Sequence, residues 1–212
     1  MALKPLPSGL RGVLQKLRSR WQVLPTVLVI PLIRLAQASP AWEIIQTDAA
    51  RTWEVRRVAG FEAVPPLRAL LARRPEFRTV FYYRLERAGG WPRAVAFAAM
   101  VLWPPLDSFE IECTDIGPGF VAQHCHGTVL WAERIGANFN IYQQVTVGWR
   151  DGTIGPPTIG DDVTIGTGAK VLGGITLGNH VSVGANAVVL NDVPDNTVAV
   201  GVPARYIAQR TQ

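Results

Sequence analysis

Apolar residues recur at helical intervals over the first half of the chain. Trp42, Ile45, Ala49 and Trp53 share one side of a helical wheel, which places Asp48 and Glu54 opposite and predicts an amphipathic helix. Pro65 and Pro66 open a second helical run through Leu67, Leu70 and Leu71, because proline is tolerated in a first turn whose N–H groups lack intrahelical partners. Pro75 introduces a third, FRTVFYYRLERAGG, which stops at Gly89-Gly90. A further apolar segment, WPRAVAFAAMVLWPPL, leads through Pro104 and Pro105 into a stretch where glycine and β-branched residues replace leucine and arginine. The boundary is placed near Asp107, giving an α-helical region, 1–107, and a second domain, 108–212.

In that second domain the period changes to six. From Ile159 to Pro194 the chain reads IGDDVT, IGTGAK, VLGGIT, LGNHVS, VGANAV and VLNDVP without an insertion. Each unit starts with Ile, Val or Leu, carries Val, Ile or Ala at its fifth position, and fills the middle with turn-compatible residues. A 3.6-residue helix would smear this pattern around its surface, whereas a short strand followed by a turn returns the same side chain inward each time. The repeat therefore predicts a solenoid whose coils bury their inward residues on one another. The phase extends back through IYQQVT and IGANFN, with the loop VGWRDGTIGPPT keeping register, and starts at IGPGFV, so the solenoid spans about Ile116 to Val200.

Charge and cysteine content narrow the function classes. Residues 1–110 hold 16 Lys/Arg against 8 Asp/Glu, and residues 111–212 hold 5 against 8. The basic residues are scattered, as at Arg11, Arg18, Arg20, Arg56, Arg57, Arg73 and Arg74, without the module that would point to nucleic acid, so no nucleic-acid partner is expected. The basic stretch LRGVLQKLRSRW beside the apolar run VLPTVLVIPLI leaves a peripheral membrane contact open. That run, Val23 to Ile33, is proline-interrupted and short of the roughly 20 residues that span a bilayer. Cys113 and Cys125 form neither a disulfide framework nor a CxxC pair, which fits a reducing cytoplasm. The expected location is cytoplasmic, with membrane association as the open addition.

The hexad pattern resembles the hexapeptide-repeat acyltransferases, over the second domain most specifically. The resemblance implies a mainly β protein: a left-handed parallel β-helix of hexapeptide repeats, preceded by an α-helical N-terminal domain. The left hand does not follow from the period and opposes the usual right-handed crossover rule. DIGPGFVAQHCHGTVL resembles the stretch of serine acetyltransferases and polysaccharide O-acetyltransferases that carries the catalytic histidine, and the matching residue is His124. An alcohol is too weak an acid to attack a thioester unaided at neutral pH, and an imidazole of reference pKa about 6.5 suits the base's role. The plainer reading of His124 is an edge or interface histidine. Cys125 would face away from His124 on a strand, so a Cys-His nucleophile pair is not expected. His126 would share the face of His124, which raises a metal reading of HCH; without further ligands no metal is expected. His180, in LGNHVS, reads as a turn residue.

By resemblance an acidic partner orients the catalytic imidazole. Glu110 is the first candidate, with Glu112 and Asp115 as alternatives. Gln143 matches a family glutamine beside the acceptor, and the loop carrying Trp149 and Arg150 would close over it. Acetyl-CoA is the implied co-substrate, in a groove between subunits of a homotrimer or dimer of trimers. Gly166, Gly184 and Ala185 would offer backbone groups to its pantetheine, and Lys170 and Arg205, the latter in the GVPAR signature, would meet its phosphates.

Two acceptors compete. Serine acetyltransferases carry an aspartate before the catalytic histidine and Arg-His in the following loop; here Gln123, Gly155 and Pro156 stand there. PEFRTVFYYRLERAGG also resembles a helical module of capsule and exopolysaccharide acetyltransferases. A sugar or polysaccharide-precursor hydroxyl is therefore the expected acceptor, serine O-acetylation in cysteine biosynthesis the alternative, and a non-catalytic trimeric solenoid scaffold the third reading.

Overall fold

The computed structural model describes residues 24–58, 67–152 and 154–208; Pro65, Pro66 and the basic stretch ahead of Leu24 lie outside the described residues. Five helices come first: α1 (Leu24–Gln37), α2 (Trp42–Val58), α3 (Leu67–Arg73), α4 (Pro75–Arg87) and α5 (Gly90–Leu102). Pro75 opens α4 as its spacing predicted, while the apolar segment after Gly89 is itself a helix that begins one residue earlier, at Gly90. Phe77, Phe81, Tyr82 and Leu85 of α4 join Ile45, Leu70, Leu71 and Ala96 in one apolar core, and the Tyr82 hydroxyl donates to the Trp103 carbonyl at 2.8 Å.

From Phe109 onward the chain is a three-faced solenoid. The first face stacks β1 (Phe109–Ile111), β3 (Thr128–Leu130), β6 (Thr146–Gly148), β9 (Lys170–Leu172) and β12 (Val188–Val189) in parallel. The second stacks β4 (Arg134–Ile135), β7 (Thr158–Ile159) and β10 (Thr176–Leu177). The third stacks β2 (Val121–Ala122), β5 (Asn140–Ile141), β8 (Thr164–Ile165), β11 (Ser182–Val183) and β13 (Thr197–Val200), and β14 (Arg205–Ala208) folds back antiparallel on β13 as a cap.

Each face sends one ladder of side chains inward, as the period requires. Ile116, Ile135, Ile159, Leu177 and Val193 form one; Ala122, Ile141, Ile165, Val183 and Ala199 form another; Leu130, Val147, Val171 and Val189 form the third, and all are buried. Strands of two or three residues are too short to hold alone, so burial between coils supplies their stability. The corners use the polar middle of each hexad. Asp161 Oδ1 accepts from the Ala137 N–H at 2.7 Å, Asn179 Oδ1 from Asp161 at 2.8 Å and Asp195 Oδ1 from Asn179 at 2.8 Å, which satisfies amides that the turns leave unpaired.

The helices are fixed to the first coil through a buried ion pair, and here the helical wheel misplaced a residue. Asp48 lies on the buried side of α2, in the stripe Ala41, Ile45, Asp48 and Thr52, and is 1% exposed. Its Oδ2 accepts from Arg84 Nε at 2.8 Å, and its Oδ1 accepts from the N–H groups of Gly119 and Phe120, both at 2.8 Å. Arg84 completes its fork by donating to the carbonyls of Ile116 and Gly117. Val80 and Tyr83 of α4 also enter the solenoid's own apolar cluster.

Candidate active site

Along the third and first faces, six positions separate Ile141 from Val147 and Ile165 from Val171, but eight separate Ala122 from Leu130. The corner between β2 and β3 thus holds two residues more than the corners stacked on it, and those extra residues belong to the segment QHCHG. The surplus pushes His124 and His126 into solvent while Cys125 turns fully inward. His124 and Cys125 adopt left-handed backbone angles, φ 62° and 25°. Consecutive non-glycine residues in this region are costly and persist only where the surrounding structure holds them. The segment is a turn, so the opposed directions of His124 and Cys125 come from corner geometry instead of the strand alternation expected.

Burial pushes the Cys125 thiol far above its ordinary range, which leaves it protonated and a poor nucleophile. The His126 Nδ1 lies 3.4 Å from Ser108 Oγ on the coil below. Among the described residues His124 has no such polar partner. Glu110 sits outward on β1, opposite Val129, and among the described residues has neither a hydrogen bond nor an ion pair to His124. Asp115 is engaged with Arg134 at 3.3 Å, and Glu112 is exposed, its backbone N–H donating to the Leu130 carbonyl and its carboxylate without a partner among the described residues. The structure therefore does not assemble a His-carboxylate pair from any of the three candidates.

The next coil places Tyr142, Gln143 and Gln144 on the same edge, with the Gln144 N–H donating to the His126 carbonyl at 2.9 Å. Gln143 carries a buried Oε1 without a hydrogen-bond partner, an acceptor left open beside the histidine corner. Gln123 is tied upward, its Nε2 donating to Asn140 Oδ1 at 3.0 Å. The edge continues through Gly166, Thr167 and Gly168, then Gly184, Ala185 and Asn186: the Gly168 N–H donates to the Gln143 carbonyl at 3.0 Å and the Asn186 N–H to the Thr167 carbonyl at 2.8 Å. His124, Gln143, Gly166, Gly184 and Ala185 thus lie along one edge of the prism, with Arg205 exposed on the cap beyond it.

Two of these assignments change in detail. The N–H groups of Gly166 and Gly184 donate to the Val183 and Ala199 carbonyls of the adjoining coil, their own carbonyls accept from the Ala169 and Ala187 N–H groups at 3.2 Å, and a Cβ on Gly166 would stand 2.9 Å from the Val183 oxygen, so these backbone groups are already engaged within the coils. The Lys170 ammonium donates to the carbonyls of Gln144, at 2.7 Å, and Gly168, at 2.9 Å, and so braces the edge. Trp149 follows β6 at the opposite side of the first face and is not brought to His124 of the same chain; Arg150 beside it is half-buried. The Trp149 ring instead packs tilted, at 55°, against Trp131, a residue the sequence pattern did not single out, with ring centroids 6.0 Å apart and both rings exposed.

Among the described residues no group of three or more His, Cys, Asp or Glu is gathered for a metal. A shallow cleft of about 260 Å³ between the helices and the first coil, lined by Tyr83, Arg84, Arg87 and Asp115 among others, holds neither histidine of the corner. His180 occupies a corner turn, φ 55°, with its Nδ1 3.7 Å from Asp162 Oδ2.

Three parallel faces of very short strands, closed by an antiparallel cap, define a parallel β-helix of hexad coils. The bacterial transferase hexapeptide model, with six repeats, matches residues 156–191. No curated protein matches the sequence. Among solved structures, serine acetyltransferase from Brucella abortus strain S19 is similar at 24% identity, over 84% of this chain and 73% of that one, with TM-score 0.65. The coenzyme A complex of serine acetyltransferase from the same strain aligns at 25% identity, over 84% and 72%, TM-score 0.63. Soybean serine acetyltransferase apoenzyme aligns at 30% identity, over 82% and 72%, TM-score 0.58. The chain belongs to the hexapeptide-repeat acyltransferases, in their serine-acetyltransferase-like group, and is an acyltransferase. That membership sets aside the non-catalytic scaffold.

Proposed function

We propose that this acyltransferase moves an acetyl group from acetyl-CoA directly to an alcohol, with His124 as general base. The observation that carries the reading is the enlarged corner, which presents His124 to solvent at a strained backbone angle beneath the open acceptor of Gln143. The His124 imidazole takes the hydroxyl proton as the alcohol oxygen attacks the thioester carbonyl. The tetrahedral intermediate then expels the CoA thiolate, which recovers that proton from the imidazolium. The coenzyme A complex of the Brucella enzyme supports the donor, and the edge from His124 through Gly166 and Gly184 to the cap is the path this chain offers it.

Serine is the acceptor that the similar structures favour, which places the alternative reading ahead of the expected sugar. A specific observation keeps the sugar as the second reading: Gln123 is neutral and bonded to Asn140, and Gly155 and Pro156 offer no charged side chain for an amino acid's ammonium and carboxylate. Thiol release from acetyl-CoA, measured with serine and separately with a panel of nucleotide sugars, separates them. Turnover with serine alone confirms the first, and turnover with a sugar alone replaces it.

Because Trp149 and His124 stand on opposite sides of the first face, the loop carrying Trp149 and Arg150 reaches an acceptor at His124 of a neighbouring copy more readily than at its own. This supports a closed threefold assembly with the site between chains. Sedimentation of a species three times the 23.1 kDa chain mass, or six times for paired trimers, is the expected result.

A further inference from the structure

Helices α1 and α5 pack against each other, and both leave apolar side chains in solvent. On α5 the positions Trp91, Ala94, Phe97, Ala98, Val101 and Leu102 follow helical spacing and all are exposed, Val101 by 83% and Leu102 by 71%. On α1, Ile30, Pro31 and Leu35 are exposed around Arg34. A contiguous apolar stripe of this kind marks a surface that is covered in use.

The charge on these helices selects what covers it. Neither LPTVLVIPLIRLAQ nor GWPRAVAFAAMVL contains an acidic residue, while Arg34 and Arg93 are exposed and the Arg93 guanidinium sits 5.6 Å from the Phe97 ring centroid. Upstream of α1 the bias is stronger still: residues 1–23 hold five Lys/Arg and no Asp/Glu. A second copy packed through α1 and α5 would bring arginines toward arginines with no carboxylate on either helix to offset them. An anionic bilayer surface satisfies both features, because apolar side chains enter the acyl boundary while the cations meet lipid phosphates.

We propose that the exposed face of α5, with the adjoining side of α1, docks the enzyme peripherally on an anionic membrane surface. No described helix is long and apolar enough to cross a membrane, so the contact lies in the interface plane. The solenoid edge bearing His124 lies outside α1 and α5 and takes no part in the contact, so this inference does not depend on the acceptor.

The test is co-sedimentation of the full chain with mixed phosphatidylglycerol–phosphatidylcholine vesicles and with pure phosphatidylcholine vesicles, alongside size-exclusion chromatography without lipid. The expected result is binding to the anionic vesicles, weakened by salt, and little to the neutral ones. The pair Phe97→Asp and Val101→Asp should weaken that binding at least about tenfold. The pair Arg34→Glu and Arg93→Glu, exposed and tolerable to the fold, should weaken it by several-fold at unchanged melting temperature and oligomer size. Absence of binding, or equal binding to both vesicle types, overturns the proposal. So does a smaller oligomer in the Phe97 and Val101 variant without any lipid effect, since the face would then be an interface between copies.

Discussion

His124 has the exposure of a working residue and the backbone of a constrained one. Replacing it with alanine removes the proposed base but no buried contact, so turnover should fall by about 10²–10⁴-fold while the melting temperature stays within a degree or so. Thiol-release kinetics beside thermal unfolding check both halves of that statement. Cys125 gives the complementary result. Its thiol is enclosed and its pKa pushed up by burial, so the native enzyme should resist thiol alkylation at mildly alkaline pH, and Cys125→Ala should keep activity. Rapid inactivation by an alkylating agent that the Cys125→Ala variant escapes would revive a cysteine nucleophile. His124 and Gln143 were legible as candidates because their neighbours match a motif. Trp131 and Ser108 were not, since their meaning depends on the coil above or below each, which no local pattern reports.

The elements were legible where one period governs them. Hexads specify strands and corners together, because every sixth residue must return to the same interior ladder, and Pro75 marks the start of α4 by its own backbone chemistry. Helix α2 was legible as a helix but not in its orientation. Its buried stripe contains Asp48 and Thr52, so a reading that searches for apolar residues rotates the helix toward Trp42, Ala49 and Trp53, which are only half-buried. What buries Asp48 is Arg84, 36 residues away, together with two amides of a coil not yet formed when the wheel is drawn. Asp48→Ala would leave the Arg84 guanidinium buried without its counter-charge, at a cost of about 3–5 kcal/mol. For a chain of 212 residues this lowers Tm by roughly 10 °C, measurable by scanning calorimetry. The same substitution frees the amides of Gly119 and Phe120, on the coil that enters β2 and the histidine corner. A loss of kcat exceeding the change in KM at a temperature where the variant is folded would show that the clamp also positions His124.

Across the whole molecule the candidate residues resolve into a line. Stacked coils repeat every ~4.8 Å, so three steps from the His126 corner to the Asn186 corner place the two ends roughly 14 Å apart along one edge, with the cap further on. On the proposed reading an extended thioester donor would lie lengthwise on this edge, its reactive end at His124 and its charged end toward Arg205. Gly166 is a poor place to test this, because the Val183 oxygen leaves no room for a side chain and any effect would confound folding with binding. Ala185 is better, being exposed on the same edge with its side chain in solvent. Ala185→Trp should leave unfolding within about 0.5 kcal/mol, as surface substitutions usually do, yet lay an indole across the path. The expected outcome is a KM for acetyl-CoA raised by about tenfold or more, with kcat at saturating donor changed much less, since the substitution lies two coil steps from the Gln143 corner and removes no group that meets the reacting atoms. An unchanged KM would mean that the donor approaches His124 from the first face and that this edge serves the coils alone.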